Sequence, residues 1–142
     1  MMSKKKHKII WVKVNAPVDS GIAGIVSELN KFPQLETVES CEGNDKQGPW
    51  VCFRYGSYWK NPWSEISKFV LGYLAPRLIE SVGDDANIRI QATPSGAIFG
   101  ELSVRPGAAP RVEAALRELS RDFSVSLRRN SGYCDGMSGI VP

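Results

Sequence analysis

The sequence is poor in the side chains that most often carry chemistry. Of its 142 residues one is a histidine, His7, and three are cysteines, Cys41, Cys52 and Cys134. A lone imidazole inside a basic terminal run leaves a Cys/His dyad without its base. Three cysteines cannot all pair within one chain. Their spacing is neither the dense, even pattern of a secreted scaffold nor a zinc knuckle, so neither a disulfide framework nor a metal site is expected. Long apolar runs are missing too. Ile9 to Val14 is interrupted by Lys13 and is too short for a signal-peptide core, and no stretch approaches the length that crosses a bilayer. The expectation is a soluble protein of the reducing cytoplasm, with no membrane partner. Nor is there a strong excess of one charge. The formal net charge is +3, and Lys4, Lys5, Lys6 and Lys8 supply much of it, which leaves the remainder nearly neutral, unlike a dedicated nucleic-acid binder. No phosphate-cradling glycine loop is found either: Gly96, Gly100 and Gly107 fall in a hairpin, a strand and a strand-to-helix connection.

What is present is the composition of a folding domain, 42% apolar and 23% charged, over a length that supports one core. The chain divides into a basic N-terminus over 1–8, a single domain over 9–129 and an irregular tail over 130–142. Ile9 to Val14, rich in β-branched and aromatic residues, predicts strand one, ended by Pro17. Asp19 is placed to cap a helix on which Ile22, Ile25, Val26 and Leu29 share one face, stopping before Pro33. Leu35 to Ser40 and Trp50 to Tyr55 read as a hairpin around the turn from Cys41 to Asp45. Asn61-Pro62 opens a second helix with Ile66, Phe69, Val70, Tyr73 and Leu74 on its apolar stripe, and Pro76 inside that pattern demands a kink or restart. Ala86 to Thr93 and the strand containing Ile98, Leu102 and Val104 form another hairpin across Thr93-Pro94-Ser95-Gly96. Pro110 opens a third helix with Val112, Ala115, Leu116 and Leu119 inward. The alternation of Phe123, Val125 and Leu127 with Ser124, Ser126 and Arg128 predicts a last strand.

The order β-α-β-β-α-β-β-α-β predicts an α+β fold with a mostly antiparallel sheet and helices on one face. Its first six elements have the order of a ferredoxin-like split βαβ unit.

Candidate functional residues fall in two loops and one aromatic segment. Cys41 leaves a strand beside Gly43, where backbone amides can converge on a thiolate or an anion. Glu39 and Glu42 flank it, and negative neighbours oppose thiolate formation. Glu39, Glu42 and Glu101 are the carboxylates available for acid/base chemistry, although spacing does not join them. Arg105, in Arg105-Pro106-Gly107 ahead of the third helix, places a guanidinium near free amides, where an anion binds. Trp50, Phe53, Tyr55, Tyr58, Trp59 and Trp63, interleaved with Arg54 and Lys60, have the composition of a stacking surface or a protein interface. Alternation sends Phe53 and Tyr55 inward and leaves Tyr58, Trp59 and Trp63 for an exposed patch.

The stretch Glu39-Ser40-Cys41-Glu42-Gly43, followed by the strand Trp50-Val51-Cys52-Phe53, resembles the serine- and cysteine-rich turn of the third enzyme of wybutosine synthesis, a methyltransferase family acting on transfer RNA. In this chain Glu39 and Glu42 stand where that family has serines, and Asn44 where it has an arginine. The Ser-Cys-Glu-Gly turn also resembles that of small uncharacterised bacterial proteins. The first resemblance implies S-adenosylmethionine as cofactor and carries over Ser40, Cys41 and Gly43.

With no coherent catalytic set, the sequence favours a non-catalytic binding or regulatory module that engages a protein, a nucleic acid or a small anion. The alternative is an S-adenosylmethionine-dependent enzyme of RNA modification with a pocket at Ser40-Gly43. The residues singled out for binding are Ser40, Cys41, Glu42, Gly43, Arg54, Trp59 and Arg105, with no catalytic residue and no metal ligand assigned.

Overall fold

The structure, a computed structural model, describes the backbone of residues 9–11, 17–56 and 62–135 and the side chains of 19–56 and 63–124. Its centre is a four-stranded antiparallel sheet of order β3-β4-β6-β5, made of β3 (Leu35–Cys41), β4 (Trp50–Tyr55), β5 (Ala86–Ala92) and β6 (Ile98–Val104). Both predicted hairpins are present, β3 with β4 and β5 with β6, and β4 joins them through β6. Alternation decides the faces. Val51, Phe53, Leu102 and Val104 point to one side and are buried there with residues of every helix. The predicted α+β class, antiparallel sheet and one-sided helical layer are all observed.

The ferredoxin-like order is not. That order seats strand one within the main sheet, whereas among the described residues β1 (Ile9–Trp11) pairs with β2 (Pro17–Asp19), in a separate two-stranded ladder. Pro17, read as the end of strand one, opens β2 instead. A proline is tolerated at the first residue of a short strand, where its missing N–H costs no ladder bond. Residues 12–16 of the predicted first strand lie outside the described residues.

Helix α1 (Ala23–Leu29) buries Ile25, Val26 and Leu29 as its spacing requires, but its cap position is Ile22, and no side chain caps it. Asp19, the expected cap, is used elsewhere, as described below. The second helical segment runs as α2 (Pro62–Phe69), a wider turn over Val70–Leu74 and α3 (Ala75–Val82). In the wider turn the Ala75 N–H donates to the Val70 carbonyl, five residues back. This is the restart that Pro76 demands: a proline ring clashes with the carbonyl four residues before it, and one extra residue in the preceding turn moves that carbonyl away.

The predicted last strand is overturned. Helix α4 (Ala109–Asp135) runs through Phe123–Leu127 and on through residues 130–135, which the sequence placed in an irregular tail. Val112, Ala115, Leu116 and Leu119 are buried, and Phe123 continues their stripe at a spacing of four. Its ring meets Tyr73 at 4.9 Å, Phe32 at 5.6 Å and Phe69 at 5.7 Å. Period-two alternation over five residues is a weaker signal than a helical stripe with a hydrophobic destination.

Opposite strands meet face to face at Phe53 and Gly100. The Phe53 ring lies where a side chain on Gly100 would stand. Replacing Gly100 with alanine is expected to destabilise the fold by about 1–3 kcal/mol through overpacking, read from urea unfolding. In a Phe53→Leu background the added cost shrinks, and an equal cost in both backgrounds would show that the ring is not what Gly100 accommodates.

Candidate functional site

The predicted Ser40-Gly43 turn sits at the end of β3, with Cys41 opposite Trp50 and Ser40 opposite Val51. Gly43 has φ +76°, and a side chain on it would run into the backbone of Gln47 and Gly48. Its N–H donates to the Cys41 Sγ at 3.4 Å. Glu42 closes a reciprocal clasp onto the start of α1: Gly21 N–H donates to Glu42 Oε1 at 2.9 Å, and Glu42 N–H donates to Asp19 Oδ2 at 3.2 Å. The turn thus anchors the first helix to the hairpin through the same Asp19 that was expected to cap it.

Arg54 lies at the far end of the same hairpin and pairs with Glu36 at 3.1 Å. It stands four positions from Trp50, the cross-strand neighbour of Cys41, so about 13 Å lies between them along the strand. Arg105 is at the turn's end of the sheet, but its guanidinium faces Asp85 Oδ1 at 3.7 Å, and Arg111 holds the other oxygen of that carboxylate. The loop predicted to hold an anion has its cation matched by an internal carboxylate. Trp59 and Tyr58 lie outside the described residues, while Trp63 is exposed at the start of α2. Among the described residues the turn, Arg54 and Arg105 are not gathered into one pocket.

It gathers others, on the sheet face turned away from the helices. Along one row across all four strands lie Glu39, Cys52, Glu101 and Arg89, each opposite the next. No side chain on this face is buried. Beside the row runs a groove of about 600 Å³ lined by Val38, Glu39, Cys52, Gln91, Ala92, Thr93 and Phe99. Val38 reaches it because the β3–β4 register slips between Thr37 and Glu39, which leaves Val38 as an unpaired bulge residue, 40% exposed.

Four of the five charges on this face are matched in pairs, and Glu39 makes no ion pair among the described residues. Arg89 bonds Glu101 at 2.8 Å, and Arg54 bonds Glu36. Partial burial pushes the Cys52 thiol up, the Glu101 and Glu39 carboxylates push it further, and Arg89 opposes them. Two of the three carboxylates named for acid/base work therefore flank a thiol that they keep protonated. Among the described residues no cluster of three or more histidine, cysteine or carboxylate side chains is able to hold a metal. Among the described residues no helix is long and apolar enough to cross a membrane.

The sequence did carry one signal for this groove. Phe99 is an aromatic on the solvent side of a strand whose other face, Ile98, Leu102 and Val104, is apolar. Val38 gave none, since a bulge depends on the partner strand. No family model matches the chain, and neither a curated protein nor a solved structure matches it.

Glu42→Ala is expected to cost about 1 kcal/mol of stability through loss of the bond from the Gly21 N–H, while the Glu42 N–H keeps its bond to Asp19, whereas Cys41→Ser changes it by less than about 0.5 kcal/mol, both read by denaturant unfolding. A neutral Glu42→Ala would show that the carboxylate's half of the clasp holds nothing. The raised Cys52 pKa has a definite sign. The folded thiol keeps its proton to higher pH than the unfolded one, so its contribution to stability is complete below the ordinary thiol range of about 8.5 and declines as pH rises through the folded value. Alkylation of Cys52, followed by mass spectrometry against pH, should therefore show a midpoint above that of an unstructured cysteine peptide. A midpoint at or below the peptide's would contradict the assigned environment.

Proposed function

We propose that this chain is a non-catalytic binding module that takes a segment of a partner protein across the open face of its sheet. The observation that carries the reading is the face itself: four strands buried on one side under helices, with a groove of about 600 Å³ on the other floored by Val38, Cys52 and Phe99. Half-exposed apolar side chains beside pre-paired charges are the make-up of a protein-binding patch, with an apolar centre and a polar rim.

Charge argues for protein over nucleic acid. The face carries Glu36, Glu39 and Glu101 against Arg54 and Arg89, a slight acidic excess where a phosphate backbone needs a basic one. Chemistry argues against catalysis by the residues at hand. Glu42 and Arg105 are engaged in contacts that hold the fold, and Cys52 is held as the weakly nucleophilic thiol.

Peptides selected from a random display library against the immobilised domain should bind the wild type and lose about tenfold or more in affinity to Phe99→Asp and to Val38→Asp, with melting temperatures unchanged. Selected peptides that bind these variants as well as the wild type would sink the reading. So would a rise in melting temperature with S-adenosylmethionine or a short RNA, which would move the function to the Ser40-Gly43 turn and the alternative of an RNA-modifying enzyme.

A further inference from the structure

The helical layer carries a second concave place, remote from the sheet groove. Between the end of α1 and the outer flank of α4 lies a cleft of about 300 Å³ lined by Lys31, Arg117, Ser120, Arg121 and Ser124. Helical spacing builds it: Arg117 and Arg121 are four apart, as are Ser120 and Ser124, so two guanidiniums and two hydroxyls rise on adjacent ridges of α4. Three of the five lining residues are cations, and none is a carboxylate.

Two of the cations are held in place from beneath. Glu28, 5% exposed, accepts at one oxygen from Lys31 Nζ at 3.1 Å and from Arg117 Nε at 3.3 Å. Glu113 takes another Arg117 nitrogen at 2.9 Å. An ammonium has three protons and a guanidinium five, so both groups keep donors after these bonds. Arg121 and Ser124 make no side-chain hydrogen bond or ion pair among the described residues. Ser120 turns its own hydroxyl proton back to the Arg117 carbonyl at 3.1 Å, which leaves Ser124 as the hydroxyl donor. Three cations thus meet two carboxylates, and the third positive charge, on Arg121, is unmatched at the cleft.

We propose that this cleft binds a phosphoryl group, either free phosphate or the phosphate end of a small organic molecule. Two guanidiniums and an ammonium lining one small cleft, with a serine hydroxyl beside them, offer more donors than a planar carboxylate can use and suit a tetrahedral oxyanion better. Glu28 lowers the cost of binding by fixing Lys31 and Arg117 before the anion arrives. The site shares no residue with the sheet groove, so the two proposals stand or fall separately.

Calorimetric titration with inorganic phosphate, and in a second arm with adenosine monophosphate, at ionic strength held constant with chloride, tests it. Saturable binding is expected with the wild type, weakened about tenfold or more in Arg121→Gln, where a charge-assisted bond is lost, and weakened less in Ser124→Ala. Both side chains are at least partly exposed, and unchanged melting temperatures in chloride will show that both variants fold. Tighter binding of the nucleotide identifies the ligand as an organic phosphate, and equal binding identifies phosphate itself. Absence of saturation at millimolar concentrations of both, or the same affinity in Arg121→Gln, overturns the proposal.

Discussion

The ring of Phe69 touches four other rings, and through them four parts of the fold. Tyr55 of β4 stacks on it at 4.1 Å, Phe32 beyond α1 and Phe123 of α4 meet it edge-on at 5.4 and 5.7 Å, and Tyr73 in the wide turn lies at 6.4 Å. Aromatic pairs at such distances prefer offset or edge geometry, so the cluster fixes angles as well as distances. Tyr73 adds direction, because its hydroxyl donates to the Leu119 carbonyl at 3.1 Å. The wide turn at Val70–Leu74 sits within this cluster, and the restart forced by Pro76 places Tyr73 beside α4 while Leu74 and Leu78 remain in the core. The burial that raises the Tyr55 pKa, reinforced by Glu65, comes from the same packing.

Because residues of every helix are buried on the cluster's side of the sheet, the sheet is left with two unlike faces. One is apolar and closed. The other carries cross-strand rows in which all but one of the charges, Glu39, are paired with a neighbour, so what this face offers a partner is mainly shape and partly exposed apolar surface. The bulge at Val38 sharpens this. By interrupting the β3 register, it delivers a branched apolar side chain to a face that alternation would otherwise keep polar.

The helical layer has its own electrostatic joint. Glu28 is among the most buried charged residues described, and its bonds to Lys31 and Arg117 link α1 with α4. A buried carboxylate is tolerated only when paired, and the pairing orders two cations at the surface. At the other end of α1 the Glu42 clasp joins helix to hairpin. A seven-residue helix is too short to be stable alone, and these two attachments together with its buried face hold it.

The amino-acid sequence by itself determined the α+β class, the two hairpins, the apolar stripes of the helices and the restart before Pro76, because each follows from local periodicity or from the geometry of one residue. It also identified which side of β4, β5 and β6 faces outward. Three things were decided only by tertiary structure. Phe123 became helical because an aromatic cluster built from residues distant in sequence gave it somewhere to pack. Asp19, Glu42 and Arg105 became structural because their partners, Gly21 and Asp85 among them, come from segments about twenty residues away. The groove and the cleft exist only where strands or helices meet, so Val38 and Arg121 had no chemical meaning until their neighbours were in place, and Phe99 stood out only as an aromatic on the outward side of its strand.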